Sequence, residues 1–278
     1  MPRDVRAGRV THWQVMGHGP RAALAIHCSL AHSGSWAALA GELAGLLTIT
    51  AFDLPGHGLG AAWDEAAGIQ AASTAIAATF PEGPTDIIGH SFGATVALRL
   101  AVEHPHLVRS LSLYEPVFFA VALTDRPDLR AGHETEMAPF RAGMAAGDPA
   151  AAARGFLRVW GDGAIWDALP GTARDRIAAQ MPLIAAADAA LYGDSGGMLA
   201  SGALGRIAAP VLLMEGARSP VITAAINDGL AARLPRATRS RIDGAGHMGP
   251  ITHAPAVAAR IRAFLSPARG GRRNPEPG

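Results

Sequence analysis

The sequence predicts an α/β fold: a mostly parallel sheet flanked by helices, interrupted by an inserted helical segment. Three observations carry that prediction. Short β-rich runs alternate with helical stretches from residue 10 to residue 114, the alternation resumes at Pro210, and the stretch between is helical with no convincing strand. Alternation of this kind belongs to parallel sheets, because a parallel crossover needs a long connection, usually a helix.

The elements follow in order. Val10 to Val15 reads as a short strand ended by the turn Gly17-His18-Gly19-Pro20, and Ala22 to Ile26 as a buried one. Trp36 to Leu47 carries apolar residues at helical spacing, and Thr48 to Phe52 returns to β composition before Asp53-Leu54-Pro55-Gly56-His57-Gly58 breaks it. Ala71 to Phe80 is helical by period, Thr85 to Ile88 a strand, Ala94 to Val102 a helix with one apolar stripe, and Leu107 to Tyr114 a strand. After the helical stretch, Val211 to Glu215 and Ala237 to Ile242 read as strands, Val221 to Leu234 and Ala254 to Leu265 as helices. The resulting organisation is a core from residues 1–117 and 205–266, an insertion at 118–204, and a disordered tail at 267–278.

Composition narrows the chemistry. The formal net charge is +1, without the concentrated basic stripe of a nucleic-acid-binding domain. The first residues lack the apolar core of a secretory signal, and no apolar run approaches the ~18 residues of a membrane span, so a soluble, cytoplasmic protein is expected. Cys28 is the single cysteine, which excludes an intrachain disulfide and a cysteine zinc site. All 24 Lys+Arg residues are arginine, so Schiff-base lysines, Ser-Lys dyads and Walker-type phosphate loops are excluded. No His-Glu-x-x-His or comparable spacing suggests a metal, and no cofactor is expected.

The pattern G-x-S-x-G occurs twice. Gly89-His90-Ser91-Phe92-Gly93 follows the strand Thr85–Ile88 and opens the helix at Ala94, the strand–turn–helix setting that a nucleophilic serine requires. The N-terminus of that helix favours developing negative charge. Gly193-Asp194-Ser195-Gly196-Gly197 follows a helical segment instead and reads as a flexible break. Ser91 is the candidate nucleophile; an ordinary helix N-cap is the plainer alternative. His247 lies in the glycine-rich loop Gly244-Ala245-Gly246-His247 after the last strand, where an imidazole can reach the serine and act as base. His253 is a weaker alternative, while His12, His18, His32, His104, His106 and His133 read as surface or packing residues.

With Ile26-His27-Cys28-Ser29-Leu30, Asp53–Gly58, Gly89–Gly93 and Gly244–Met248 in this order, the chain resembles the α/β-hydrolase superfamily from about residue 10 to residue 265. The resemblance implies a mostly parallel α/β-hydrolase sheet with a helical cap, and an oxyanion hole from the backbone N–H groups of Phe92 and Ser29. Family members usually carry His-Gly where this chain has His27-Cys28. They also usually place an aspartate after the penultimate strand, where Gly216-Ala217-Arg218-Ser219-Pro220 offers Ser219. Some members place the acid after the strand that follows the nucleophile helix; here that position is Glu115, which preserves the order nucleophile, acid, base. Glu215 is the second choice, Asp228 and Asp243 remoter ones, and a dyad without an acid remains open. A structural Glu115 paired with Arg109 or with an arginine of the insertion is the plainer alternative.

Phe118, Phe119, Phe140, Phe156, Leu157, Trp160, Trp166, Met181, Leu183 and Ile184 supply apolar material in the insertion that can line a pocket between cap and core, most of it reading as packing of the cap's own helices. Trp160 in the insertion, Leu30 beside the oxyanion loop and Met248 beside the base are candidate substrate contacts. The expected function is hydrolysis of a small, moderately hydrophobic ester, thioester, lactone or C–C bond through a covalent acyl-enzyme. A cofactor-free haloperoxidase- or perhydrolase-like enzyme and a non-catalytic ligand-binding protein are the alternatives. The sequence leaves a homo-oligomer open.

Overall fold

A glycine-containing turn sets the first two strands. In the computed structural model, which describes residues 2–64 and 68–266, β1 (Arg3–Arg6) and β2 (Arg9–Met16) form a hairpin. Its two-residue turn, Ala7-Gly8, has both φ angles positive, as a tight hairpin demands. Sequence reading missed β1, because its alternating charges hide a strand that is exposed on the sheet edge. The tail 267–278, read as disordered, lies outside the described residues.

Six further strands complete one eight-stranded sheet: β3 (Arg21–Ile26), β4 (Leu47–Phe52), β5 (Thr85–His90), β6 (Val108–Tyr114), β7 (Val211–Gly216) and β8 (Ala237–Ile242), in the order β1-β2-β4-β3-β5-β6-β7-β8. The β1–β2 and β2–β4 pairs are antiparallel and every other pair is parallel. Strand β5 is buried along its whole length, as a central parallel strand covered on both faces should be. The strand order reverses direction around β3, and the loops at the carboxyl ends of β3, β5, β6 and β8 meet on one edge.

Helices α1 (Ala37–Leu43), α2 (Ile69–Ala77) and α3 (Phe92–Glu103) belong to the first part of the chain. The helix expected over Trp36–Leu47 is shorter: a 3-10 turn covers Ser33–Trp36, α1 ends at Leu43, and Leu47 already belongs to β4. Leu46 and Leu47 satisfy helical and strand periods alike. The tie is broken by the Gly19 turn, whose backbone lies against Leu46 and Leu47 too closely for any side chain.

Between β6 and β7 the described chain is helical: α4 (Phe119–Asp125), α5 (Arg130–Ala145), α6 (Pro149–Trp160), α7 (Gly171–Ala179), α8 (Met181–Ala186) and α9 (Asp188–Leu191). Helices α10 (Val221–Arg233), α11 (Gly249–Thr252) and α12 (Ala254–Leu265) follow the last strands. Helices α1 and α12 pack on one face of the sheet; α2, α3, α10 and the helices between β6 and β7 share the core on the other. Residues 193–197 form a hydrogen-bonded turn, with the Asp194 carboxylate accepting the N–H groups of Met198 and Leu199 at 2.8 and 2.9 Å.

Candidate active site

Ser91 sits between β5 and α3 at φ +55° and ψ −119°, a conformation that costs a non-glycine residue ~1–3 kcal/mol. The flanking glycines explain how so sharp a bend fits. A Cβ on Gly89 would come within 2.5 Å of Ala94 Cα, and one on Gly93 within 2.5 Å of the His27 carbonyl oxygen. Both positions therefore need hydrogen rather than a side chain, and the close approach packs α3 onto β3. The Ser91 N–H donates to Tyr114 O at 2.9 Å, tying the bend to β6.

His247, in the loop after β8, accepts the Ser91 hydroxyl at Nε2 across 2.9 Å, and its Nδ1 donates to Oε2 of Glu115 across 2.7 Å. Exposure of the three residues is 6, 4 and 0% for Ser91, His247 and Glu115. They come from the ends of three separate strands. The loop of His247 is held from several sides. Tyr114 donates its hydroxyl to Gly246 O at 2.7 Å, and His90 donates Nε2–H to the His247 carbonyl at 2.7 Å. Burial, reinforced by the neighbouring His247 imidazole, pushes His90 down to about 3, so it donates as a neutral ring. The Trp160 ring meets the His247 ring edge-on with centroids 4.7 Å apart.

Glu115 lies at φ +48° just past β6, its N–H bonded to Met214 O at 2.9 Å. Its Oε1 accepts Gly216 N–H at 2.7 Å and the Ser219 hydroxyl. Arg109, its suggested structural partner, pairs instead with Asp86 at 2.7 Å. Glu215 turns away to Arg239 and Asn227, at 2.9 and 2.8 Å. Asp228 pairs with Arg239, and His253 bonds Thr252.

Ser29 and Phe92 line a cavity together with Ser91 and His247, and neither amide N–H is taken up by an acceptor among the described residues. Cys28 is buried, which pushes its thiol up to about 12 and keeps it unreactive. The left-handed residue of this loop is Leu30, at φ +66°, so a side chain at position 28 meets no backbone conflict. His27 orders the loop: its Nδ1 donates to Cys28 O at 2.7 Å while Nε2 accepts Leu54 N–H at 3.0 Å. Burial and then His57 push it down to about 3, matching that neutral tautomer.

The cavity holds about 40 Å³ of free space, and Phe119, Phe140, Phe156, Trp160 and Ile184 line it. Phe118, Trp166 and Met181 pack in the core. Two expected substrate contacts fall elsewhere. Leu30, turned by its positive φ, and Leu183 line a neighbouring open cleft of about 860 Å³. Met248 is not among the cavity-lining residues; its N–H is bound by Asp162 at 2.9 Å as the chain enters α11. Sequence reading missed Val117, Met137, Arg141, Asp188, Leu191 and Tyr192 on the wall, which no local motif marks. It also missed a buried pair: His12, read as surface or packing, is bonded through Nδ1 to Asp53 at 3.0 Å. Burial alone would raise the pKa of Asp53, yet hydrogen bonds from Leu59, Ser33 and His12 hold it below the usual carboxylate range.

This sheet, with a buried serine on a strained bend beside a histidine, defines an α/β-hydrolase. The chain belongs to the alpha/beta hydrolase family, whose model matches residues 23–260. It is similar to the pimeloyl-[acyl-carrier protein] methyl ester esterase of Neisseria meningitidis serogroup C, 33% identical over 223 residues, covering 78% of this chain and 82% of that protein. The enzyme of the same description from Methylococcus capsulatus is 28% identical over 263 residues, covering 91% and 97%. Among solved structures, a putative lipase from Acinetobacter baumannii superposes with a TM-score of 0.70 at 19% identity, covering 95% of this chain and 90% of that one. Membership and these relatives make the chain an esterase-like hydrolase. Among the described residues, no helix is long and apolar enough to cross a membrane.

Proposed function

We propose that this chain is a serine esterase that cleaves a small, moderately hydrophobic ester through a covalent acyl-enzyme, with Ser91 as nucleophile, His247 as base and Glu115 as acid. The observation that carries this reading is the unbroken series Ser91 Oγ, His247 Nε2, His247 Nδ1, Glu115 Oε2, with links of 2.9 and 2.7 Å, opening on an apolar cavity. Ionised Glu115 accepts from Nδ1–H and so selects the tautomer whose Nε2 has a free lone pair. His247 takes the hydroxyl proton as Ser91 Oγ attacks the ester carbonyl. The resulting oxyanion is met by the amide N–H groups of Phe92 and Ser29, each worth ~3 kcal/mol of transition-state stabilisation. His247 then returns the proton to the departing alcohol. Water, deprotonated by the same imidazole, attacks the acyl-enzyme; the acid is released and Ser91 recovers its proton.

Residues 118–204 act as a cap over this centre and the rest of the described chain as its core. A free space of about 40 Å³ is smaller than a drug-sized ligand pocket of roughly 300 Å³ or more, so the cap helices have to shift for substrate entry. The relatives' names support an ester of an acyl chain with a small alcohol. The enzyme works in the cytoplasm on this reading.

A fluorophosphonate probe with a reporter tag tests the proposal. Wild type is labelled and Ser91→Ala is not; an unlabelled wild type, or equal labelling of both, overturns it. A panel of p-nitrophenyl and methyl esters of graded acyl length then ranks substrates by kcat/KM.

A further inference from the structure

Ser219 stands where the family most often has its acid, and a serine there supplies no charge. The structure nevertheless brings it into the buried network. Its hydroxyl donates to Oε1 of Glu115, the oxygen that also accepts Gly216 N–H at 2.7 Å, while Oε2 faces His247 Nδ1 at 2.7 Å. Glu115 has no exposed surface, so protein donors have to replace the water its carboxylate gives up. One carboxylate thus has its two oxygens assigned to separate tasks.

The turn that carries Ser219 is itself fastened to both neighbours. Ala217 N–H donates to Ile242 O at 2.9 Å, at the end of β8, and Arg218 N–H donates to Ala245 O at 2.9 Å, two residues before His247. Ser219 N–H closes the turn onto Gly216 O at 3.3 Å. Residues 216–219 therefore bond to Glu115 on one side and to the loop of His247 on the other. A carboxylate pinned at one oxygen by two donors is held in the plane that points its other oxygen at His247 Nδ1.

We propose that Ser219 is a positioning residue for the acid–base pair: with Gly216 N–H it pins Oε1 of Glu115, leaving Oε2 for His247. The inference rests on the reading of Glu115 as the acid. It has an electrostatic consequence as well. A donor on Oε1 draws negative charge away from Oε2. Without it Oε2 is the stronger acceptor, the charged imidazolium is favoured, and more of the enzyme is in the inactive protonated form at mildly acidic pH.

The test compares full-length wild type, Ser219→Ala and Ser219→Thr on p-nitrophenyl acetate across pH. Ser219→Ala is expected to lower kcat roughly tenfold with KM changed less than about twofold, as loss of one hydrogen bond acting through another group should. Its acidic limb of kcat/KM moves to higher pH, whereas a merely structural loss would scale the whole profile down without moving it. Ser219→Thr keeps the hydroxyl and restores kcat and limb together. Wild-type kcat and an unmoved limb in Ser219→Ala overturn the proposal. A second comparison holds even if that variant folds poorly: Glu115→Gln/Ser219→Asp returns a carboxylate to this place and should exceed Glu115→Gln at least about tenfold in kcat, and no gain counts against the juxtaposition. Fluorophosphonate labelling of Ser91 is read in parallel. An unlabelled wild type defeats the esterase reading, while a labelled wild type matched in every respect by Ser219→Ala defeats this inference alone.

Discussion

The Asp162 carboxylate accepts the backbone N–H of Met248 at 2.9 Å, so a residue of the helical insertion holds the loop that presents His247. Asp162 is in the left-handed region at φ +51°, and its carboxylate lies so close to Gly246 that a side chain there would collide with it. Position of the insertion and alignment of the histidine are therefore linked by one charge-assisted hydrogen bond. Asp162→Ala should lower kcat roughly three- to tenfold and slow labelling of Ser91, with the far-UV circular dichroism spectrum unchanged. Equal kcat would show that the loop holds its shape without Asp162.

Two neighbouring carboxylates are separated by their partners. Glu115 contacts His247, whereas Glu215 is occupied by Arg239 and Asn227. Glu115→Gln should reduce kcat at least about 100-fold, because an amide no longer selects the reactive tautomer. Glu215→Gln should stay within about threefold of wild type. Steady-state kinetics on one ester decide the order, and its reversal would move the acid to Glu215.

Opposite outcomes are expected at two glycines. Gly93→Ala puts a methyl group 2.5 Å from the His27 carbonyl oxygen, and closer still to that of Ile26, on backbone that cannot yield. A loss of ~2–4 kcal/mol in urea unfolding is expected, with activity falling alongside. Gly132, on α5, has open space where a methyl group would go, with nothing within 4 Å, so Gly132→Ala should stabilise by ~0.5–1 kcal/mol.

Two buried histidines predict the acid side of the stability curve. His27 and His90 are each lowered to about 3 from 6.5, so both are neutral in the folded protein where the unfolded chain binds protons. Well above pH 6.5 neither state is protonated and they add no pH dependence. As pH falls from 6.5 towards 3 the unfolded state gains protons first, and stability is lost at up to roughly 1.4 kcal/mol per pH unit for each. Thermal melts from pH 7.5 to pH 4.5 should show Tm falling below about pH 6.5, and His90→Gln should make that fall shallower. A Tm independent of pH over this range would contradict the neutral assignment.

Much of the fold was legible because its signals are local. Apolar runs ended by glycine and proline placed seven of the eight strands to within a few residues, and Ala237–Ile242 and Ala254–Leu265 came out with their observed ends. The missed strand, Arg3–Arg6, has no buried face to leave a hydrophobic imprint. The overrun of the helix into Leu47 arose where one leucine pair fits two periods and a distant glycine turn decides.

For the site, the chain order of residues determined which side chains had the chemistry to cooperate: a serine between strand and helix, a histidine in a late glycine-rich loop, a glutamate at a strand end. The sequence, by its resemblance, ranked Glu115 ahead of Glu215; tertiary structure alone decided that Oε2 of Glu115 meets the imidazole, that the Ser219 hydroxyl meets Oε1, and that Leu30 opens on a different cleft from Trp160. The reason is range. A turn or a period is written in adjacent residues, but the direction of a carboxylate past its strand end depends on which loops, far apart in the chain, the parallel sheet sets side by side.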